Sequence, residues 1–200
     1  NKDIVQTTES LVPLSKTELF SFLEKRRDVL TGVCITGGEP TLHFDLPDLI
    51  RQIKALGYLV KLDTNGTNSN MLKFLIHAHL IDYCAMDIKN TPEKYNITVG
   101  ALSNSSFLDL STVSTSIQFL IQQSIIPYEF RTTIVQEFHT EADLRAICKW
   151  IAGAQAYFLQ SYQDSEGVLQ KGLHAHSAET LQSYVTLCRL YIPNTTLRGI

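Results

Sequence analysis

The stretch "GVCITGGEPTLHFDLPDLI", residues 32–50, runs a short apolar segment into two glycines, a glutamate and a proline before a helical pattern begins. Val33, Cys34 and Ile35 read as a buried strand. Gly37 and Gly38 reach positive φ without steric cost, while Pro40 fixes its own φ. A simple turn does not require that order after a strand. Bare backbone followed by a stiff exit instead describes a surface that something approaches closely.

The pattern continues on both sides. Upstream, "PLSKTELFSFLEKRRDVL" pairs Ser15 with Glu18 in capping-box spacing, with Leu19, Phe22, Leu23 and Leu30 following at roughly helical intervals. Downstream, Leu46, Leu49, Ile50, Ile53 and Leu56 form one helix face, with Asp45 as candidate N-cap and Gly57 where a C′ glycine belongs. Then come strand "YLVKLD", loop "TNGTNSN", helix "MLKFLIHAHL" and strand "DYCAMDIK". A polar loop with Pro92 and Gly100 leads to "LDLSTVSTSIQFLIQQ", a helix despite its poor Ser/Thr propensity. Strand "YEFRTTIV", helix "EADLRAICKWIAG" capped by Thr140, strand "AYFLQSY", helix "SAETLQSYVTLCRLY" and a short strand "TTLRG" complete the chain.

Strand and helix thus alternate about six times with short connections, which implies parallel strands joined by right-handed crossovers. Either an open doubly wound sheet or a full or partial barrel satisfies this pattern. No linker, low-complexity run or repeat divides residues 1–200, so a single domain is expected.

Apolar residues make up 44% and charged residues 18% of the chain, with a net charge of -3, so nothing electrostatic favours nucleic acid or an anionic membrane. No apolar run is long enough to span a bilayer. The opening "NKDIVQTTES" lacks a basic start and an apolar h-region. Cys34, Cys84, Cys148 and Cys188 are far apart, form no C-x-x-C, and read as reduced core thiols of a cytoplasmic protein. His77/His79 and His174/His176 read as non-ligands.

Ligands of parallel α/β folds sit beyond the carboxyl ends of the strands. Those ends carry Gly37, Gly38, Glu39 and Pro40; Asp63, Thr64, Asn65 and Gly66; Asp87 and Lys89; Glu129 and Arg131; and Gln160 and Tyr162. Asp87 and Lys89, two apart, share a face and could form an ion pair. A buried Arg131 needs a partner, and Glu129 on the same face is the candidate. The glycines match neither a P-loop nor a dinucleotide-binding fingerprint.

"GVCITGGEPTL", "VKLDTNG", "DYCAMDIK", "YEFRTTIV" and "YFLQ", in this order over nearly the whole chain, resemble the radical S-adenosylmethionine superfamily. Within it they resemble the activating proteins of anaerobic ribonucleoside-triphosphate reductase and pyruvate formate-lyase. The resemblance implies a partial (β/α)6 barrel and a [4Fe–4S] cluster held by C-x3-C-x2-C. It also implies S-adenosylmethionine cleaved to a 5′-deoxyadenosyl radical, and a glycyl-radical enzyme as partner. Gly37, Gly38, Glu39 and Pro40 would meet the methionyl end of the cofactor. Asp63, Thr64 and Asn65 would lie near its ribose and methionyl parts, and Asp87, Lys89 and Arg131 would line the same pocket. A flavodoxin or ferredoxin electron donor and an anaerobic cytosol are implied by the family alone. The cluster motif is absent from this sequence and is expected upstream of Asn1; Cys34 is no substitute. Two further readings remain: a small-molecule enzyme resembling 7-carboxy-7-deazaguanine synthase, and a nucleoside-binding module without a cluster.

Overall fold

The structure, a computed structural model, describes residues 13–100, 108–164 and 171–199. The opening twelve residues, read above only for a leader, lie outside that set. Six parallel strands form one sheet: β1 Gly32–Ile35, β2 Leu59–Thr64, β3 Tyr83–Asp87, β4 Tyr128–Ile134, β5 Tyr157–Ser161 and β6 Thr195–Arg198. Their spatial order equals their chain order. A doubly wound sheet would reverse direction at a switch point. Monotonic order with right-handed crossovers keeps the helices on one side and gives a barrel segment. Among the described residues β1 and β6 do not pair, so the barrel is open.

The helices are α1 Lys16–Lys25, α2 Leu46–Ala55, α3 Ser69–His77, α4 Tyr95–Thr98, α5 Leu110–Gln123, α6 Glu141–Trp150 and α7 Ala178–Arg189. Two local elements were not anticipated from the sequence: α4 inside the polar loop, and a 3-10 turn at Pro40–Leu42. The core lies between helices and sheet, where Val60, Leu62, Met86, Phe130, Tyr157 and Leu159 are almost fully buried. Their strand neighbours point to the opposite, open face, since side chains alternate along a strand.

Most caps behave as expected. Ser15 and Thr140 form capping boxes with Glu18 and Asp143, and Gly57 and Gly153 both take φ +91°. Asp45 does not cap α2; its carboxylate bonds Lys16 Nζ at 3.0 Å instead. In α1, Leu19, Phe20 and Leu23 face the core and Phe22 points outward, one position off the expected stripe. Cys84, Cys148 and Cys188 are buried free thiols, but Cys34 is exposed because it faces the open side of the edge strand. In α5 the serines and threonines find internal acceptors: Thr115 Oγ1 donates to the Ser111 carbonyl, and Ser116 Oγ to that of Gly66. No described helix is long and apolar enough to cross a membrane.

Candidate functional site

At the carboxyl ends of β1–β4 lies a cavity of about 110 Å³, lined by Thr36, Gly37, Gly38, Asp63, Thr64, Asn65, Asp87, Lys89 and Arg131. Eight of the ten residues expected from the sequence meet there. Thr36 was not among them, although its place at the end of β1, before the glycines, was a usable signal.

Gly37 and Gly38 form one wall, with φ of +93° and +55°. A Cβ built on Gly38 would meet no protein atom within 4 Å, so packing does not demand this glycine. The backbone conformation does, and the space it leaves opens on the cavity.

Glu39 and Pro40 stand behind that wall. Glu39 is buried, and four internal donors take up its carboxylate. Oε1 accepts from Thr41 N at 3.2 Å, Thr41 Oγ1 at 2.5 Å and Thr64 Oγ1 at 2.7 Å, while Oε2 accepts from Asn65 N at 2.6 Å. Asn68 Nδ2 adds a 2.7 Å bond to the Thr41 carbonyl. These bonds tie the β1 loop to the β2 loop. Pro40 opens the 3-10 turn and is buried. The side-chain oxygen of Asn65 serves its own turn, accepting from Thr67 N and Oγ1 at 3.0 and 2.7 Å.

Gly66, next in that turn, has φ +75°, and an added Cβ would collide with the methyl of the buried Met86. Gly66→Ala should therefore lose about 1–3 kcal/mol of stability, from left-handed strain and forced repacking. The urea midpoint checks this; an unchanged midpoint would contradict it.

Charge is laid across the cavity floor in a continuous row. Lys61 Nζ bonds Asp63 Oδ1 at 2.6 Å, and Arg131 Nη1 bonds Asp63 Oδ2 at 2.9 Å. Arg131 Nε donates to Asp87 Oδ1 at 2.9 Å, and Lys89 Nζ reaches Asp87 Oδ2 at 2.8 Å. Lys61 stands at the outer end of this row and does not line the cavity, whose own lining sets Lys89 and Arg131 against Asp63 and Asp87, two charges of each sign. Burial opposes ionisation of Asp63, yet the hydrogen bonds from Lys61 and Arg131 outweigh it and hold its carboxyl below the usual range. Burial likewise disfavours the Arg131 cation, and the Asp87 and Asp63 charges more than restore it.

Arg131 does not pair with Glu129, as the shared face had suggested. Glu129 lies two residues further from the rim, where Arg198 holds both its oxygens at 2.8 and 3.0 Å and the Tyr83 hydroxyl donates at 2.7 Å. Gln160 and Tyr162 are not in the cavity. His77 packs edge-on against Phe119, His79 follows α3 with φ +53°, His174 pairs with Glu137, and His176 Nε2 donates to the His139 carbonyl.

The cavity is smaller than the roughly 300–1,000 Å³ that encloses a whole small ligand. It suits one compact polar end of a larger molecule. Two features fit the amino-acid end of S-adenosylmethionine: the bare glycine wall and the paired charges of both signs, which suit a zwitterion. A metal cluster has no such fit: among the described residues no three Cys, His, Asp or Glu side chains come together to hold a metal.

No family model matches the chain. A protein of Methanocaldococcus jannaschii named as a glycyl-radical enzyme activating enzyme is 30% identical over 172 residues, covering 84% of this chain and 71% of the relative. A protein of Saccharolobus solfataricus named as a GTP 3′,8-cyclase is 29% identical over 137 residues, of which this chain spans only 41% of the length. The crystal structure of a domain of pyruvate-formate lyase-activating enzyme from Bacteroides vulgatus superposes with a TM-score of 0.66 at 18% identity, covering 84% of this chain and 99% of that domain. The sequential parallel barrel segment and the first of these relatives agree: the chain belongs to the glycyl-radical enzyme activating enzymes of the radical S-adenosylmethionine superfamily.

Proposed function

We propose that the cavity binds the amino-acid end of S-adenosylmethionine and that the enzyme installs a glycyl radical on a partner, the anaerobic ribonucleoside-triphosphate reductase. The observation that carries the cofactor reading is the glycine wall facing a row of paired charges of both signs, with partly exposed Lys89 at one end, an arrangement that suits a zwitterion. When bound and given one electron, S-adenosylmethionine would break its C5′–S bond to release methionine and a 5′-deoxyadenosyl radical, which would take a hydrogen atom from a glycine Cα and leave as 5′-deoxyadenosine.

The residues of this chain bind and orient. The Gly37–Gly38 backbone meets the ammonium group with its carbonyls. Lys89, partly exposed and bonded only to one oxygen of Asp87 among the described residues, turns toward the cofactor carboxylate. Arg131 bridges Asp63 and Asp87, and Glu39 fixes the two loops that form the walls. The described residues do not hold the [4Fe–4S] cluster. Its cysteines are placed, as the resemblance implies, on a C-x3-C-x2-C upstream of Asn1, with a flavodoxin or ferredoxin as electron donor. The choice of partner rests on the sequence resemblance.

Gly38→Val tests the cofactor reading. The same change at Gly57, which has φ +91° and equally open space but lies at the end of α2, controls for backbone strain. Both variants should lose about 1–2 kcal/mol of stability. Only Gly38→Val should weaken S-adenosylmethionine binding, by roughly tenfold or more, as the branched side chain fills the cofactor's place. Equal affinities in isothermal titration of the anaerobically reconstituted protein would remove the glycine wall from the site.

A further inference from the structure

Beyond Asp87 the chain leaves the β3 ladder, yet its carbonyls are not left to solvent. The Asp87 carbonyl lies 3.4 Å from the Tyr95 hydroxyl of α4. That of Ile88 accepts from Thr132 Oγ1 of β4 at 2.8 Å. The Lys89 carbonyl accepts from Nε2 of His139 at 2.9 Å. Side chains from α4, β4 and the β4–α6 connection thus pin three successive peptide units, and the last carries the lysine of the cavity.

His139 is 1% exposed, and its other ring nitrogen is also committed: Nδ1 accepts from the Val135 N–H at 3.1 Å. A ring that accepts at Nδ1 and donates at Nε2 is the neutral Nε2–H tautomer, fixed by its neighbours rather than free to choose. A proton on Nδ1 would face the Val135 N–H donor to donor. We propose that His139 is a positioning residue for the cofactor site: it holds the Lys89 backbone so that the ammonium group meets the cofactor carboxylate.

This rests on the reading of Lys89 given above. Nothing in the sequence separates His139 from an ordinary core histidine, because it lies 50 residues from Lys89 along the chain. The groups whose charges act on His139 are Asp143 of α6, which favours a proton and is itself bonded to Lys94, and His176, which disfavours one. Burial outweighs both backbone bonds and Asp143, so His139 ionises below the usual histidine value. The folded state therefore prefers the neutral ring. Its contribution is complete above the ordinary value of about 6.5 and is lost as pH falls toward the lowered native value.

Two substitutions split the ring's functions. Asn places an acceptor near the Nδ1 position but cannot reach Lys89, whereas Gln places an NH2 near the Nε2 position. S-adenosylmethionine affinity would be measured by titration calorimetry on the reconstituted native gene product, for wild type, Lys89→Ala, His139→Asn, His139→Gln and the Lys89→Ala/His139→Asn double variant. Lys89→Ala and His139→Asn should each weaken binding by roughly tenfold or more, the scale of one charge-assisted bond. The double variant should be no weaker than Lys89→Ala alone, and His139→Gln should bind nearly as wild type. If Lys89→Ala weakens binding and His139→Asn does not, the positioning role is wrong while the cofactor reading stands. If Lys89→Ala binds as wild type, the Lys89 reading fails and takes this inference with it. Should the His139 variants not fold, nitrogen-15 NMR of the wild-type imidazole decides. The Nε2–H signal should shift on cofactor binding in the wild type and not in Lys89→Ala; no shift in the wild type would overturn the proposal.

Discussion

Arg131→Met is expected to cost about 3 kcal/mol of folding stability at neutral pH, the lower end of the range for breaking a buried ion pair. The Arg131 side chain is 11% exposed, and its guanidinium bridges Asp63 and Asp87, whose side chains are 14% and 29% exposed. Methionine keeps much of the volume and none of the charge. The two carboxylates then face each other with only Lys61 and Lys89 left to balance them. The pH dependence has a definite sign. In the wild type the Asp63 pKa is held below its ordinary value, so the stabilisation is present above that value and is lost as pH falls through the lowered native one. The gap in urea midpoint between wild type and variant should therefore be full at neutral pH and shrink below about pH 4, the ordinary aspartate value. A gap that widens on acidification would show that Arg131 does not act through the carboxylates. S-adenosylmethionine binding should be lost in the same variant, since the cavity floor is this row of charges.

Glu39→Gln should have the second large effect. Oε1 of Glu39 accepts three bonds and Oε2 accepts from the Asn65 N–H. An amide keeps one acceptor oxygen and presents an NH2 where the other stood. In the orientation that preserves the three bonds at Oε1, that NH2 faces the Asn65 N–H donor to donor. Leaving one buried donor unmet and losing the charge costs roughly 2–3 kcal/mol. The β1 and β2 loops should separate, so amide hydrogen exchange should quicken at Thr41 and Asn65 while the helix-side core around Leu62 and Phe130 stays protected. Uniform protection across all four sites would mean that Glu39 does not clasp the loops.

The fold was legible because its signals are local and repeated. Alternating strand and helix periods, Ser15 with Glu18, Thr140 at the head of α6 and the glycines after α2 and α6 can be read within a few residues of each other. The choice between a doubly wound sheet and a barrel was not legible in the alternation of elements, because strand order is encoded by no local pattern; the family resemblance implied a partial barrel, and the open six-stranded segment bears that out. The members of the site were legible from their place at strand ends, but their partners were not. Asp63 and Arg131 lie 68 residues apart, and Glu39 and Asn65 lie 26 apart. Strand alternation put Glu129 on the same face as Arg131, yet the register across the sheet gave Arg131 to Asp87. Cys34 looked like a core residue because its neighbours are apolar, but the period-two alternation puts it on the open face of the sheet, where the edge strand leaves it exposed.

We propose a chain built around S-adenosylmethionine for radical chemistry. The most direct measurement reconstitutes the native gene product anaerobically with iron and sulfide, adds reductant and S-adenosylmethionine, and assays 5′-deoxyadenosine, with Gly38→Val beside it. The wild type should yield 5′-deoxyadenosine, and Gly38→Val little or none. No cluster and no cleavage in the wild type would contradict it, and the cavity would then belong to a nucleoside-binding module.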